Sequence, residues 1–170
     1  MVFAEDITKD YAAELGFTLK SMQLDAAVAM LRRHDVLITA RTGFGKSLLY
    51  IMAPTLYDRH DMFSGASQKP HGSAVLIVFP LLSMIEDNIL KIKKLVPDKV
   101  ITHLSSDSTL DHELKSSHFI LTTPESLLSV TGRSLLRDKE YTSRLRAVFI
   151  DECHCIITQY VNTIINQSVD

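Results

Sequence analysis

Residues 36–47 read VLITARTGFGKS, an apolar run followed by a glycine-containing loop and a lysine-serine pair. The apolar run predicts a strand at Val36–Thr39, and the residues after the loop predict a helix over Lys46–Leu56. Glycines at positions 43 and 45 allow consecutive backbone N–H groups to turn towards one point, and the start of a helix adds partial positive charge there. The stretch therefore predicts a phosphate-binding loop. Its residues are Ala40, Arg41, Thr42, Gly43, Phe44, Gly45, Lys46 and Ser47.

Two residues of this loop carry the chemistry. In a phosphate-binding loop of this pattern, the lysine, here Lys46, bridges the β and γ phosphates of a nucleoside triphosphate, and the hydroxyl of Ser47 binds Mg²⁺. The alternative is a glycine turn that precedes a helix by chance. Average residue usage produces the pattern by accident in about one chain of this length in a hundred, so the phosphate-binding interpretation is favoured.

The rest of the chain alternates strands and helices. Further strands are predicted at Ala74–Phe79, Val100–Leu104, Phe119–Thr122 and Ala147–Ile150, and further helices at Met22–Leu31, Ser83–Leu95 and Glu125–Val130. The strands are apolar on consecutive positions, which suits strands covered on both faces in a parallel sheet. The small and turn-forming residues of Asp58–Ser73 predict a loop. The predicted fold is α/β, a mostly parallel sheet with helices on both faces.

A second candidate site follows the last predicted strand, where Asp151 and Glu152 come directly after Ile150. Ligands of open α/β sheets bind beyond the carboxyl ends of the strands, where the phosphate-binding loop also lies. Asp151 is the candidate to hold Mg²⁺, and Glu152 to orient and deprotonate the attacking water. Many surface turns share this pattern, so the hypothesis depends on the loop upstream. The sequence Cys153-His154-Cys155 raises zinc as an alternative, but its spacing is wrong for a structural zinc site.

Composition places few limits on function. The chain has 170 residues, which predicts one globular domain. Its net charge of −2 does not by itself indicate a nucleic-acid binder, although a local basic stripe can bind nucleic acid within a neutral protein. The two cysteines favour a reduced, intracellular setting. We expect a soluble chain without a signal peptide, since the N-terminus lacks an apolar segment and all apolar runs are too short to cross a bilayer.

The order of segments resembles superfamily 2 helicases and, among them, the RecQ family of ATP-dependent DNA helicases. The resemblance covers roughly residues 14–160 and rests on the following segments: LGF and KSMQ at 15–23, TGFGKSLLY at 42–50, FPLLSMIEDN at 79–88, TTPE at 122–125 and DECHCI at 151–156. It implies a RecA-like P-loop NTPase domain that uses ATP and Mg²⁺ and binds single-stranded or forked DNA. A nuclear location is implied if the source has a nucleus.

The resemblance also implies residue roles. It places Phe17, Lys20 and Gln23 around the adenine of ATP. It implies that the DNA backbone is contacted by Pro80, Leu81, Ser83, Thr123 and Pro124. It also implies that His154 couples ATP binding to DNA binding and joins Lys46, Asp151 and Glu152 as a catalytic residue. Each has a structural alternative. Gln23 could be a solvated helix residue, Pro80 a strand terminator and Pro124 a helix start. Lys91, Lys93 and Lys94 are better explained as a solvated face than as a DNA track.

The pattern stops soon after the D-E-x-H box. Residues 1–170 are expected to form one ATP-binding domain, without the family's second RecA-like domain and its arginine finger, which a partner could supply. The family's strand between the two ATP motifs is also missing, and the gap would leave backbone groups unpaired unless the tail, predicted helical at Ile156–Ile165, fills it. We expect ATP binding, feeble hydrolysis and no strand separation by this chain alone. An ATP- or DNA-binding remnant, a P-loop kinase or other NTPase, and an RNA helicase remain as alternatives.

Overall fold

A computed structural model describes residues 2–41, 43–66 and 71–153. Its sheet contains four strands: β1 (Ala74–Val78), β2 (Ile101–Leu104), β3 (Phe119–Thr122) and β4 (Leu145–Ile150). The spatial order is β2-β3-β1-β4, and all three pairings are parallel. Parallel neighbours separated by helices confirm the predicted α/β class. The four strands predicted downstream of residue 73 are all present, and that at Phe119–Thr122 has the predicted bounds.

Eight helices are found in the described residues: α1 (Val2–Glu14), α2 (Ser21–Leu31), α3 (Ser47–Phe63), α4 (Leu82–Leu95), α5 (His112–Ser116), α6 (Pro124–Leu127), α7 (Val130–Leu135) and α8 (Lys139–Arg144). The four short helices share one start signal, a side-chain oxygen that accepts a hydrogen bond from a backbone N–H of the first turn. These caps are Asp111, Thr123, Ser129 and Asp138. The predicted helix Glu125–Val130 is in fact two helices, because Ser129 caps a new start at α7.

The sheet separates two hydrophobic clusters. Successive strand residues point to opposite faces, so Val75 and Ile77 pack on the side of α1 to α4, whereas Ala74 and Leu76 pack on the side of α5, α7 and α8. All five residues of β1 are buried. Helices therefore cover both faces of the sheet, as the continuous apolar runs predict.

One predicted strand is wrong. Val36–Thr39 has no regular secondary structure, and the Val36 and Leu37 side chains are 42% and 81% exposed. Opposite this segment β4 forms the outer edge of the described sheet, and a cavity of about 1090 Å³ is lined by both. A strand requires a neighbour for its backbone hydrogen bonds, and no described strand lies between the segment and β4. The predicted tail helix at Ile156–Ile165 lies outside the described residues.

The predicted loop Asp58–Ser73 is wrong in its first part, because α3 continues to Phe63. Tertiary contacts hold this extension in place. The Tyr57 hydroxyl donates to the Met30 carbonyl of α2 at 3.1 Å, and the Arg146 guanidinium of β4 lies 2.7 Å from the Asp61 carboxylate. Helix α1 was not predicted; its buried side chains include Ile7 and Tyr11. No helix in the described part of the chain is long and apolar enough to cross a membrane.

Arg144 ties the amino-terminal ends of the strands together. Its side chain is 1% exposed and donates only to backbone carbonyls. The acceptors are the carbonyls of His71, Gly72, Lys115, Ser116 and Ser117, at 2.6 to 3.3 Å. Because these carbonyls lie just before β1 and β3, the side chain fixes the starts of both strands relative to β4. The opposite, carboxyl end of the sheet is left free for function.

Candidate nucleotide-binding site

The predicted phosphate-binding loop lies at the amino-terminal end of α3. Gly43 and Gly45 have φ angles of +80° and +91°, a region that side chains other than glycine rarely adopt. Ser47 is the first residue of α3, so the N–H groups of the first turn face the loop. The Lys46 ammonium donates to the Ala40 carbonyl across the loop at 2.8 Å. Thr42 lies outside the described residues. This backbone has the conformation that an anion-binding nest requires.

Gln23 of α2 clamps the loop. Its side-chain amide donates to the carbonyls of Phe44 and Gly45, at 3.2 and 3.1 Å, and its oxygen accepts from the Lys20 N–H at 2.9 Å. Gln23 is 5% exposed, so the alternative of a solvated helix residue is wrong. A Cβ atom at position 45 would lie 2.7 Å from the Gln23 amide nitrogen. The backbone conformation favours glycine at position 45, and a side chain there would in addition displace the Gln23 amide from the loop.

The remaining predicted adenine-site residues differ in position. The Lys20 ammonium donates to the Phe44 carbonyl at 3.2 Å and lies 4.5 Å from the centre of the Phe44 ring, a cation–π contact. Phe17 lies in the turn after α1, where its N–H donates to the Ala12 carbonyl, and its side chain is 38% exposed. Lys20 and Gln23 thus both contact the loop, whereas no hydrogen bond or aromatic contact joins Phe17 to it among the described residues.

Asp151 and Glu152 directly follow β4. The Asp151 N–H donates to the Val78 carbonyl at 3.0 Å, which continues the β1–β4 pairing by one residue, and the Asp151 carboxylate accepts from the Glu152 N–H at 3.0 Å. Glu152 has a φ of +49°, in the left-handed region. Burial raises the pKa of Asp151, the negative charge of Glu152 raises it further, and the positive charges of Lys46 and Lys91 oppose this.

The structure brings the two predicted ATP motifs together. Ala40, Arg41 and Lys46 line the same cavity as Asp151 and Glu152. The side-chain oxygen atoms of Ser47 and Asp151 are ligands of the kind that Mg²⁺ prefers. The loop amides and the Lys46 ammonium can donate hydrogen bonds to phosphate oxygens, so the residues present fit a magnesium-bound triphosphate. Among the described residues, no group of three or more His, Cys, Asp or Glu side chains could hold another metal ion. His154 and Cys155 lie outside them.

The predicted DNA-contacting residues lie at the same carboxyl edge of the sheet, after β1 and β3. Leu81 and Ser83 are exposed, whereas Pro80 is buried. Thr123 is 6% exposed, and its hydroxyl caps α6 by accepting from the Ser126 N–H at 3.3 Å. Pro124 occupies the first turn of α6. Pro124 is thus a helix start, as its structural alternative predicts, and of the predicted residues Leu81 and Ser83 have the exposed side chains. The lysines at 91, 93 and 94 are exposed on α4.

Sequence reasoning missed two residues beside the site, Tyr50 and Asn88. The Tyr50 hydroxyl donates to the Asn88 side-chain oxygen at 2.6 Å and links α3 to α4. Tyr50 lies three residues after Ser47, a helical spacing that places both side chains on one face. This spacing was the available signal, whereas the contact with Asn88 depends on the tertiary fold.

A parallel sheet with helices on both faces, a positive-φ glycine loop before α3 and an acidic pair after β4 define the class of RecA-like P-loop nucleotide-binding domains. Residues 20–169 match the family model of the DEAD/DEAH box helicases, and the chain belongs to that family.

Similar curated proteins are DNA helicases. The chain is 26% identical over 148 residues to the ATP-dependent DNA helicase Q1 of Rattus norvegicus, which covers 80% of this chain and 21% of that protein. It is 27% identical to a putative ATP-dependent DNA helicase Q1 of Caenorhabditis elegans, with the same coverage. It is 30% identical over 146 residues to the ATP-dependent DNA helicase hus2/rqh1 of Schizosaccharomyces pombe, covering 79% of the chain and 10% of that protein. The RecQ-type resemblance is confirmed, and the chain spans about a fifth or less of these relatives.

Proposed function

We propose that this chain is the ATP-binding part of a DNA helicase motor, in which ATP binding and hydrolysis drive single-stranded DNA binding and duplex unwinding by the whole protein. The observation that carries the proposal is that Lys46 and Asp151 line one cavity. A P-loop lysine and a carboxylate that follows a strand of the parallel sheet together form a magnesium-nucleotide site.

Each residue of the site has a defined task. The loop amides and the start of α3 would bind the phosphates, and Ser47 and Asp151 would hold Mg²⁺, which would neutralise charge on the phosphate oxygens. Lys46 exchanges its present bond to the Ala40 carbonyl for a phosphate oxygen. Glu152 orients a water and accepts its proton as the water attacks the terminal phosphorus, whose bond to the β–γ bridging oxygen breaks so that ADP leaves. We expect slow hydrolysis until an arginine finger from a second domain or a partner stabilises the transition state.

Gln23 gives the site a basis for choosing adenine. Both of its N–H groups are already used by the Phe44 and Gly45 carbonyls, and its oxygen accepts one hydrogen bond from the Lys20 N–H. A side-chain amide oxygen has two lone pairs, so one remains to accept from the exocyclic amino group of adenine. Guanine has a carbonyl oxygen at that position and would repel the Gln23 oxygen. ATP is therefore the proposed substrate.

The proposed DNA path runs over the carboxyl edge of the sheet, at Leu81 and Ser83. Both side chains are exposed directly after the strand that neighbours β4. Backbone contacts by such residues give affinity without reading sequence. In a eukaryote, a nuclear location and a role in DNA repair and recombination belong to the same proposal.

Phosphate release tests this function. We expect the chain to release phosphate from ATP slowly, single-stranded DNA to stimulate the release more than RNA does, and Lys46→Ala and Glu152→Gln to abolish it. Glu152→Gln should still bind ATP, because it changes the group that accepts the proton of water and leaves the phosphate site intact. Nucleotide binding without any stimulation would contradict the motor function and favour a binding remnant. Stronger stimulation by RNA would indicate an RNA helicase.

A further inference from the structure

Tyr50 lies between the nucleotide site and α4. Its side chain is buried between two aromatic rings, with ring-centre distances of 6.2 Å to Phe79 and 5.9 Å to Phe149. Only the hydroxyl is available for polar contacts, and it donates to the Asn88 side-chain oxygen at 2.6 Å. Phe79 directly follows β1 and Phe149 belongs to β4, so Tyr50 packs against the carboxyl end of β1 and against β4.

The same side chain is a neighbour of a proposed magnesium ligand. Ser47 and Tyr50 lie three residues apart on α3, a spacing that places both side chains on one face of the helix. A tyrosine hydroxyl ordinarily keeps its proton near neutral pH, and here it donates that proton to Asn88. Since Tyr50 gives its own proton to Asn88, its hydroxyl oxygen is left to accept a hydrogen bond from the neighbouring Ser47 hydroxyl.

Asn88 carries the connection into the first turn of α4. It is 5% exposed, and its amide nitrogen donates to the Met84 carbonyl at 2.8 Å. The N–H of the same residue, Met84, donates to the Leu81 carbonyl at 3.2 Å. Asn88 is therefore connected, through the backbone of Met84, to the exposed segment of Leu81 and Ser83 that follows β1.

We propose that Tyr50 and Asn88 are positioning residues that transmit magnesium-nucleotide binding at Ser47 to the first turn of α4, and so raise the affinity of the Leu81–Ser83 segment for single-stranded nucleic acid. This inference rests on the function proposed above.

The direction of every bond supports this relay. Ser47 can give its lone pair to Mg²⁺ only while its proton points elsewhere, and the Tyr50 hydroxyl oxygen is the acceptor one helical turn away. A metal-bound hydroxyl is a stronger donor, and hydrogen bonds in a chain polarise and strengthen one another. Mg²⁺ binding therefore tightens the bonds from Ser47 to Tyr50 and from Tyr50 to Asn88. An apolar residue at either position of the relay would leave Ser47 and α4 in contact only through packing.

The test compares the affinity for single-stranded DNA with and without saturating magnesium and a non-hydrolysable ATP analogue. The ratio of the two dissociation constants is the coupling factor, which we expect to be about fivefold or more in the wild-type chain. Tyr50→Phe removes only the hydroxyl, and we expect a coupling factor within about twofold of unity, since one hydrogen bond accounts for about a two- to tenfold effect. Asn88→Leu, and the double variant, should give the same value as Tyr50→Phe.

Tyr57→Phe is the matched control. Tyr57 lies on the same helix, is buried, and donates its hydroxyl to a carbonyl, that of Met30 in α2, away from α4. It should keep the wild-type coupling factor. In parallel, hydrogen exchange at the amides of 84–88 should slow on nucleotide addition in the wild type and in Tyr57→Phe, but not in Tyr50→Phe.

Three results would overturn the relay: a wild-type coupling factor in Tyr50→Phe, an equal loss in Tyr57→Phe, or a wild-type chain that binds nucleotide and DNA independently. Failure of the proposed function itself is read from the wild type alone, as absence of nucleotide binding or of DNA binding, and it would remove the relay as well. A wild-type coupling factor in Tyr50→Phe, or an equal loss in Tyr57→Phe, leaves the proposed function standing, whereas independent binding by the wild type counts against both.

Discussion

Replacing Gln23 with leucine tests whether this residue supports the phosphate-binding loop as well as reading adenine. The change keeps a buried side chain of similar size and removes three hydrogen bonds: those to the Phe44 and Gly45 carbonyls and that from the Lys20 N–H. A net contribution of about 0.5 to 1.5 kcal/mol per bond gives about 1.5 to 4.5 kcal/mol for the whole clamp.

Only part of this free energy concerns the loop. The hydrogen bond from the Lys20 N–H to the Gln23 side chain belongs to the start of α2 and does not involve the loop. In the variant the Phe44 carbonyl still accepts a hydrogen bond from the Lys20 ammonium, at 3.2 Å. The carbonyl that loses its side-chain donor is that of Gly45. The loop should therefore lose about 1 to 2 kcal/mol of its ordering, which corresponds to about a 5- to 30-fold weaker affinity for phosphates.

The assay uses two ligands that differ in the base. Calorimetric titration with magnesium-ATP and with magnesium tripolyphosphate separates adenine recognition from loop support, because tripolyphosphate has no adenine. We expect Gln23→Leu to weaken both ligands. Gln23→Glu is the control for α2, since its carboxylate still accepts from the Lys20 N–H but cannot donate to the loop, and it should weaken both ligands as well.

An unchanged affinity for tripolyphosphate in Gln23→Leu, together with a weaker affinity for ATP, would refute this reasoning. Gln23 would then act on adenine alone, and its contacts with the loop in the structure would have no energetic consequence for phosphate binding.

Three further predictions concern stability and pH. Arg144→Lys should lower the free energy of unfolding by about 2 to 4 kcal/mol in urea titrations, because an ammonium cannot reach the five carbonyls that the guanidinium satisfies; an unchanged midpoint would contradict the role of Arg144. Burial lowers the pKa of His118 to about 4, so stability should fall by about 1 to 2 kcal/mol, allowing for partial exposure of the ring, as the pH drops from about 6.5 to about 4. His118→Asn should show no such fall in stability over this pH range, and an equal slope of stability against pH in the variant would exclude His118 as the cause. Because burial raises the pKa of Asp151, magnesium-nucleotide affinity should decline on acidification at a pH above the range of an ordinary aspartate; Asp151→Asn should bind weakly without this dependence, and the same decline in the variant would contradict the assignment.

The sign for His118 follows from its neutral native form. Its ring nitrogen Nδ1 accepts from the Val100 N–H at 3.1 Å, and Lys99 and Arg144 are positive neighbours. The unfolded chain takes up a proton below about pH 6.5 while the folded chain does not, so acid favours unfolding between the two pKa values. His118→Asn keeps an acceptor at this position without a titrating group.

The sheet could be predicted where burial is continuous along the chain. β1 and β3 are buried at every position, and such apolar runs between turn residues predict strands of a parallel sheet. Val36–Thr39 has the same local pattern and is not a strand, because pairing depends on a neighbour elsewhere in the chain. The extent of α3 was likewise set by contacts with Met30 and Arg146 rather than by the small residues of the predicted loop.

The candidate site was predictable where a motif is contiguous. The glycine conformations and the position of Ser47 at the start of α3 follow from the local pattern at residues 40–47. The loop and Asp151 lie close together because β1 and β4 run parallel, so that both sites are at the carboxyl edge of the sheet. The strand-helix alternation predicted this parallel direction. The double use of Gln23 and the Tyr50–Asn88 contact could not be predicted, because each joins segments that are 21 to 38 residues apart.

Calorimetric titration of magnesium-ATP into the wild-type chain and into Lys46→Ala tests the central claim most directly. The account predicts saturable binding by the wild type and, since a charge-assisted bond contributes about 1.5 to 3 kcal/mol, affinity at least about tenfold weaker in Lys46→Ala. Equal affinity in the two proteins, with both chains folded, would contradict a triphosphate site built on this loop.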